Sequence, residues 1–460
     1  MKKFSSFLSA GLLLASMTGC TGLGATSLMI ASINVMKPTL NVGDMTDIVI
    51  DARTAAFRNL TYNVICGRGR VERVAGSDNK YRYYAPLTSR SPNAQGNMQE
   101  GDTLTVQVSD GYDSKVQQVA VTLTGSTMVM VQGGDNNTSQ PENGRLLVAA
   151  VDSSGTSLTS FRALKDAMKN ELRGTSPVIS PDGRKVAYVY YPGTGSQIMT
   201  VDVAGNVVNL TGNATGFNLD PTWSPSSHEL AFVSDRGGSY DLYRVNSDQQ
   251  GNQPIRITNT TVQERHPAWN PHMAKMNYIA VCANTTSLKD LNTQQNVWNI
   301  FLVDVSKGTY ERQLTGLIPD KGLYAIEPSW KTDGEFLAYT YYGPMYNNSS
   351  NSQPFQRIYT QRYTESVGSG MPLNLAETAP SVKESNPVWS TNGNEIAYLH
   401  SVDNYQPGGG YGELYRQTYT AGATTPDRPP LMWQQGSNVP VIWRRPTQNE
   451  LVGCRPVDWK

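Results

Sequence analysis

Apolar and polar residues alternate over short stretches along much of this chain, the period-two signature of half-buried strands. In "GDTLTVQVSDG", Leu104, Val106 and Val108 alternate with Thr103, Thr105 and Gln107 before the turn Ser109-Asp110-Gly111. "KVQQVAVTL" follows with Val119, Val121 and Leu123 on one face, so the pair predicts a hairpin. Upstream, "TDIVID", "LTYNVIC" and "YRYYAP" predict further strands. About seven short strands in about a hundred residues suit a two-sheet sandwich. One segment breaks the pattern: in "SFRALKDAMKNEL", Phe161, Leu164, Met168 and Leu172 fall on one face at helical spacing and predict a short helix.

Farther along, the alternation is packaged in a unit that recurs. Copies begin at Ser176 ("SPVISPDGRKVAYVYYPG"), Asp220 ("DPTWSPSSHELAFVSDRGGSYDLYRVN"), His266 ("HPAWNPHMAKMNYIAVCANTT"), Glu327 ("EPSWKTDGEFLAYTYYG") and Asn386 ("NPVWSTNGNEIAYLHSVDN"). A degenerate sixth begins at Val439 ("VPVIWRRPTQNELVGCRPV"). Each copy places a Pro where a strand begins and a backbone donor is dispensable. Trp223, Trp269, Trp330 and Trp389 follow two residues after that Pro, large enough to fill the gap between adjacent sheets. A turn comes next, "SPDG" in its fullest form, and then further strands. An all-strand repeat of this length predicts propeller blades, with polar inserts such as "LKDLNTQQ" and "YNNSSNSQ" confined to one rim. The last copy has no outer strands of its own, while strands around Met128 to Val131 and Leu146 to Val151 precede the first copy without inner ones. Closure of the ring by those N-terminal strands is therefore expected, giving six blades and no bare sheet edge.

The repeats resemble the TolB-type propeller repeat, and "PTWSPSSHELAFVSDRGGSYDLYRVN" and "SPVISPDGRKVAYVY" match it across nearly the whole motif. The resemblance covers about Thr127 to Lys460 and implies an all-β fold, a six-bladed TolB-like β-propeller. It says little of function, because the same repeat occurs in binding proteins, in enzyme-associated propellers and in a few lyases. The preceding strands resemble a bacterial Ig-like domain, carried by "YYAP" near the "GDTLTVQVSDG" hairpin. The expected organisation is a signal peptide over 1–19, a linker over 20–27, an Ig-like β-sandwich over 28–125 serving as spacer or adhesin, and the propeller over 127–460.

Composition and charge narrow the setting. Charged residues make up 17% and the formal net charge is zero, with no run of Lys or Arg to track phosphates, so nucleic acid is not an expected partner. "MKKFSSFLSAGLLLASMTGC" has two lysines, a short apolar stretch and small residues before Cys20, the pattern of an export signal. "MTGC" resembles a lipobox, although Met17 departs from the usual Leu. That resemblance implies acylation of Cys20 and attachment to a membrane. The absence of Asp after Cys20 then points to the outer membrane. The other cysteines, Cys66, Cys282 and Cys454, are expected as buried free thiols, with Cys282 and Cys454 on opposite sides of the ring.

Candidate chemistry is sparse. "GTGSQ" and "GSGMP" make no serine-nucleophile elbow, and no hydrolase domain is expected beside the propeller. No H-E-x-x-H, paired-cysteine zinc pattern or P-loop occurs, and His228, His272 and His400 read as solvated or packed polar residues. No cofactor and no metal are expected. One constellation stands out: the residues just before the repeat prolines include Asp220, His266, Glu327 and Asn386, from four consecutive blades and at equivalent positions. They are expected at the mouth of the central channel, either as a binding site for a partner or cation or as strand caps facing water. Tyr190, Tyr191, Tyr341, Tyr342, Tyr405 and Tyr411 lie at strand ends and in loops, where they can anchor a partner or pack between blades. The sequence thus favours a non-enzymatic, membrane-anchored scaffold that binds an envelope protein or cell-wall material. A carbohydrate-active, metal-assisted lyase is the alternative, and a purely architectural role a third.

Overall fold

The computed structural model describes residues 28–54, 58–92, 98–132, 143–151, 158–212, 216–248, 253–284, 297–316, 324–343, 355–373, 382–402, 413–419 and 454–459. Within them the chain is all-β, apart from one 3-10 turn at Met273–Lys275. Two four-stranded sheets come first. One runs in the order Met29–Val35, Met45–Arg53, Lys80–Tyr84, Arg70–Arg73; the other Thr39–Asn41, Ser114–Thr124, Asp102–Ser109, Thr61–Cys66. The alternation seen in the sequence sets which side chains meet: Leu104, Val106 and Val108 from one sheet and Ile48, Ile50 and Tyr83 from the other share a single core. Asp102–Ser109 and Ser114–Thr124 form the expected antiparallel hairpin, with Gly111 in the turn at φ 87°.

The expected helix does not form. Leu158–Ala163 is a strand, and beyond it Asp166 and Asn170 close a tight turn in which Lys169 adopts φ 72°. Met168, needed for the helix's apolar face, is 84% exposed at that turn. Pairing with the neighbouring strand Gly144–Val151 outweighs the local helical spacing, because it satisfies backbone groups and buries Leu147 and Val148 together. The cysteine expectation also needs adjustment: Cys282 is a buried free thiol, but Cys66 is free and only half-buried. Cys454 has no described side chain.

Five repeats each open with an inner strand: Arg173–Ile179, Asn218–Trp223, Glu264–Trp269, Tyr324–Trp330 and Val382–Trp389. A second and a third strand pair onto each in antiparallel order. Each inner strand packs against the next, and the C-terminal strand Cys454–Trp459 packs against both the last and the first of them. That strand pairs with Ser126–Gln132, which pairs in turn with Gly144–Val151. The described part of this final sheet therefore takes one strand from the C-terminal end of the chain and three from before the repeats; of the copy beginning at Val439, the residues before Cys454 lie outside the described residues. Asp458 fastens the seam, its Oδ2 accepting the Ile179 N–H at 2.8 Å.

The repeat turns fix where the first two sheets attach. In "SPDG", the Ser180 hydroxyl accepts the Lys185 N–H and donates to Asp182, while Gly183 takes φ 72°. The Gly183 carbonyl accepts the Leu87 N–H at 2.7 Å, and Leu87 is buried among Val131, Leu146, Ile179 and Val201. Arg184 donates to the Gly69 carbonyl, Arg162 donates to that of Gly43, and Arg70 pairs with Asp202. A Cβ on Gly183 would meet the Thr88 backbone nitrogen and Cγ2 at 2.6 Å. Gly183→Ala combines a left-handed backbone penalty of about 1 to 2 kcal/mol with this collision. Limited proteolysis is expected to cut Gly183→Ala between residues 87 and 126 at least tenfold faster than the parent chain, a factor that corresponds to about 1.4 kcal/mol. Equal cleavage would show that the joint does not depend on this approach.

Candidate functional site

In the five repeats whose pre-proline residue is described, that residue adopts a conformation that side chains normally avoid. Ser176, Asp220, His266, Glu327 and Asn386 have φ of 48°, 53°, 48°, 57° and 54°. Each lies at a register jump in its inner strand, where it and the following Pro form a bulge. Proline explains the bulge, since it cannot contribute an N–H to the ladder. The bulge also frees the N–H of the residue before it, and where the partner is seen it comes from the preceding repeat. Asp220 Oδ2 accepts the His266 N–H at 3.1 Å. Glu327 Oε2 and the Thr340 hydroxyl accept the Asn386 N–H at 2.9 and 3.2 Å. The Cys282 thiol lies against the backbone N–H of Glu327, from the same place in its sheet that Thr340 occupies in the next.

Four residues singled out in the sequence thus resolve into two pairs, Asp220 with His266 and Glu327 with Asn386. They lie within the inner strands: Asp220 and His266 are third in Asn218–Trp223 and Glu264–Trp269. Asp220 Oδ2 also accepts Arg265 Nε at 3.0 Å, and His266 Nδ1 is 3.8 Å away. Burial acts to raise the Asp220 pKa, but the His266 and Arg265 charges and the His266 N–H together bring it down to about 2. The Asp220 charge, outweighing burial, raises that of Arg265. The Arg265 guanidinium sits 5.8 Å from the centre of the Tyr240 ring, with Tyr191 close by. Glu327 is committed to the wall, accepting Thr340 Oγ1 at 2.7 Å and Asn386 Nδ2 at 3.0 Å. Exposure differs sharply: the Asp220 side chain is 13% exposed, whereas those of Arg265 and His266 are 35% and 36%.

Arg265 escaped the sequence reading because nothing in the repeat marks it; its neighbour in the chain, not its own position, belongs to the recurring pattern. Glu264 and Glu384 escaped it as well. Each lies two residues before a bulge residue, fully buried, and reaches into the seam with the preceding repeat. Glu264 accepts Leu242 N–H at 2.8 Å, Thr258 Oγ1 at 2.6 Å and Tyr310 OH at 2.5 Å; Glu384 accepts Ile358 N–H at 3.1 Å. Burial pushes Glu264 up to about 6 despite those donors. The remaining histidines fit their sequence reading where described: His228 is 71% exposed and pairs with Asp248, and His272 Nδ1 accepts the Ala274 N–H. The His400 side chain lies outside the described residues. Among the described residues, no three His, Cys, Asp or Glu side chains are grouped as metal ligands would be.

Two buried carboxyls should oppose each other in pH dependence. Glu264 ionises near 4.5 in an unfolded chain and at about 6 here, so its contribution to stability is full below 4.5 and is lost as pH rises through 6. The loss amounts to about 2 kcal/mol. Asp220 ionises near 3.8 unfolded and at about 2 folded, so its contribution is present above 3.8 and lost as pH falls through 2. Urea midpoints measured across this range should lose their fall between pH 4.5 and 6 in Glu264→Gln. An unchanged profile would mean that Glu264 is not the group responsible.

Comparison with known proteins agrees with the repeat geometry. Residues 164–339 match the family model described as PD40, TolB beta propeller domain. This stretch is a TolB-like PD40 β-propeller segment. Among similar proteins, Atu1656 of Agrobacterium fabrum is 27% identical over 36% of this chain and 54% of its own length. The Tol-Pal system protein TolB of Hydrogenovibrio crunogenus is 30% identical over 22% of each chain. The match thus spans about half of the first relative and less than a quarter of the second. Among solved structures, TolB from Acinetobacter baumannii aligns with a TM-score of 0.42 at 16% identity, covering 78% of this chain and 77% of that one. The TolB-like segment contains the inner-strand residues Ser176, Asp220, His266 and Glu327; Asn386 lies beyond it.

Proposed function

We propose that this chain is a lipid-anchored envelope protein that binds a protein partner through the inner wall of a six-bladed TolB-like propeller. In this reading Cys20 carries the acyl chains, residues 28–125 form an Ig-like spacer, and 127–460 form the ring. The cyclic packing of the inner strands and the pairing of Cys454–Trp459 with Ser126–Gln132 support six blades and closure. The two facing sheets of the N-terminal part support the spacer. An envelope setting draws on the export signal and on a relative named as a Tol-Pal system protein.

The observation that carries the binding role is the exposure of Arg265 and His266 midway along the inner wall, beside the less exposed Asp220. The first two sheets attach at the repeat-turn end, through Gly183 and Arg184, which leaves the other end for a partner. Capture from detergent-solubilised envelope tests this. The full chain should retain a partner that a doubly substituted Arg265→Gln, His266→Ala chain releases. No specific capture by the parent chain would overturn the proposal, and so would equal capture by both. Anchoring has its own assay: Cys20→Ala should abolish acyl labelling and release the protein from membranes.

A further inference from the structure

The inner wall sorts its polar groups by sign. Its carboxylates face into the wall: Asp220 Oδ2 takes the Arg265 and His266 N–H groups, and both Glu327 oxygens take donors from Thr340 and Asn386. Beside Asp220, which is 13% exposed, Arg265 and His266 are 35% and 36% exposed. Arg265 spends Nε on Asp220, and its two terminal nitrogens have no hydrogen-bond partner among the described residues. Those nitrogens form the end of a planar fork that matches a carboxylate in bidentate fashion. Asp220 on one side and the Tyr240 ring beneath fix the guanidinium's orientation, so little ordering is needed when a ligand arrives. The His266 imidazole, 36% exposed, comes from the next residue along the same strand.

We infer that Arg265 and His266 receive a carboxylate side chain of an extended acidic peptide, with Tyr191 and Tyr240 contacting the peptide beside it. A neutral sugar fits less well. Its hydroxyls need acceptors as well as donors, and of the four oxygens of Asp220 and Glu327 only Asp220 Oδ1 takes no hydrogen bond from the described wall residues. The inference rests on the partner-binding reading above and names the group by which the partner is held.

Binding can be read by fluorescence anisotropy on the full chain. The probes are a labelled peptide Gly-Gly-Asp-Glu-Asp-Gly-Gly and its uncharged counterpart Gly-Gly-Asn-Gln-Asn-Gly-Gly, with trigalacturonate as competitor. The acidic peptide should bind about tenfold or more tightly than the uncharged one, a preference that Arg265→Gln abolishes and Arg265→Lys only reduces. His266→Gln leaves the Asp220–Arg265 pair intact and should weaken acidic-peptide binding severalfold; it serves as the second variant should Arg265→Gln fail to fold. Equal binding of the two peptides, binding of neither, or an unchanged preference in both variants overturns the inference. So does displacement by trigalacturonate at lower concentration than by unlabelled acidic peptide, which would assign the site to an acidic sugar. Envelope capture separates the two readings. If the parent chain captures a partner and Arg265→Gln captures it equally, this inference fails and partner binding stands. If the parent chain captures nothing, partner binding itself fails.

Discussion

Trp330→Ala should lower unfolding stability by about 3 to 5 kcal/mol, whereas Trp330→Phe should cost only about 1 to 2. Trp330 is 7% exposed and belongs to a cluster that joins Ile300 and Leu302 of one repeat to Leu337, Tyr339 and Tyr359 of the next. Its indole N–H donates to the Ala268 carbonyl of the preceding repeat at 2.8 Å, and Tyr363 meets the ring edge-on. Alanine leaves a cavity at a seam between sheets and an unpaired carbonyl; phenylalanine fills most of the space and forfeits mainly the hydrogen bond. Trp223 and Trp389 make the same bond, to Val178 and Ser329. Trp269 departs from the rule, donating to Met276 within its own repeat, while its backbone N–H goes to Thr222 Oγ1. Urea unfolding followed by circular dichroism distinguishes the variants. Equal losses for Ala and Phe would mean that the hydrogen bond, not the packing, holds the seam.

Asp102→Asn should destabilise the N-terminal sheets by about 3 to 5 kcal/mol, because a single buried carboxylate there organises a whole loop. Asp102 is 7% exposed. Its Oδ1 accepts the Arg68 and Thr103 N–H groups at 2.9 and 2.7 Å, and its Oδ2 accepts the Gly69 N–H and the Tyr83 hydroxyl, both at 2.7 Å. Burial, followed by the Asp102 charge, pushes the Tyr83 hydroxyl far above its ordinary range, so it stays a donor. An amide would turn two donors of its own toward some of these four. The loop so held carries Arg68, whose guanidinium donates to the carbonyls of Thr88, Ser89 and Gly101. Differential scanning calorimetry should show the early transition moving down in Asp102→Asn while the repeat region melts as before. A shift confined to the repeat region would contradict this role for Asp102.

The pre-proline residues show how far pattern reading can go. It found five positions that share one backbone conformation, because each sits with its proline at the same bulge of an inner strand. It could not say what the side chains do there. Asp220 and Glu327 satisfy backbone donors of the following repeat, a task that exists only once two sheets lie side by side. Arg265 and Glu264 were invisible for the same reason: their partners, Asp220 and Leu242, are far from them in the chain. The helix expected around Met168 failed in the opposite direction, since a local spacing was real but a non-local strand pairing was stronger.

By itself the sequence determined what short-range chemistry controls: an all-β chain, the TolB-like repeat with its Pro, Trp and turn, and the places where strands begin. Tertiary structure decided which carboxylates are spent inside the wall and which donors remain exposed. Burial and partner geometry decide that, and both are set by residues brought together across the seams rather than along the chain.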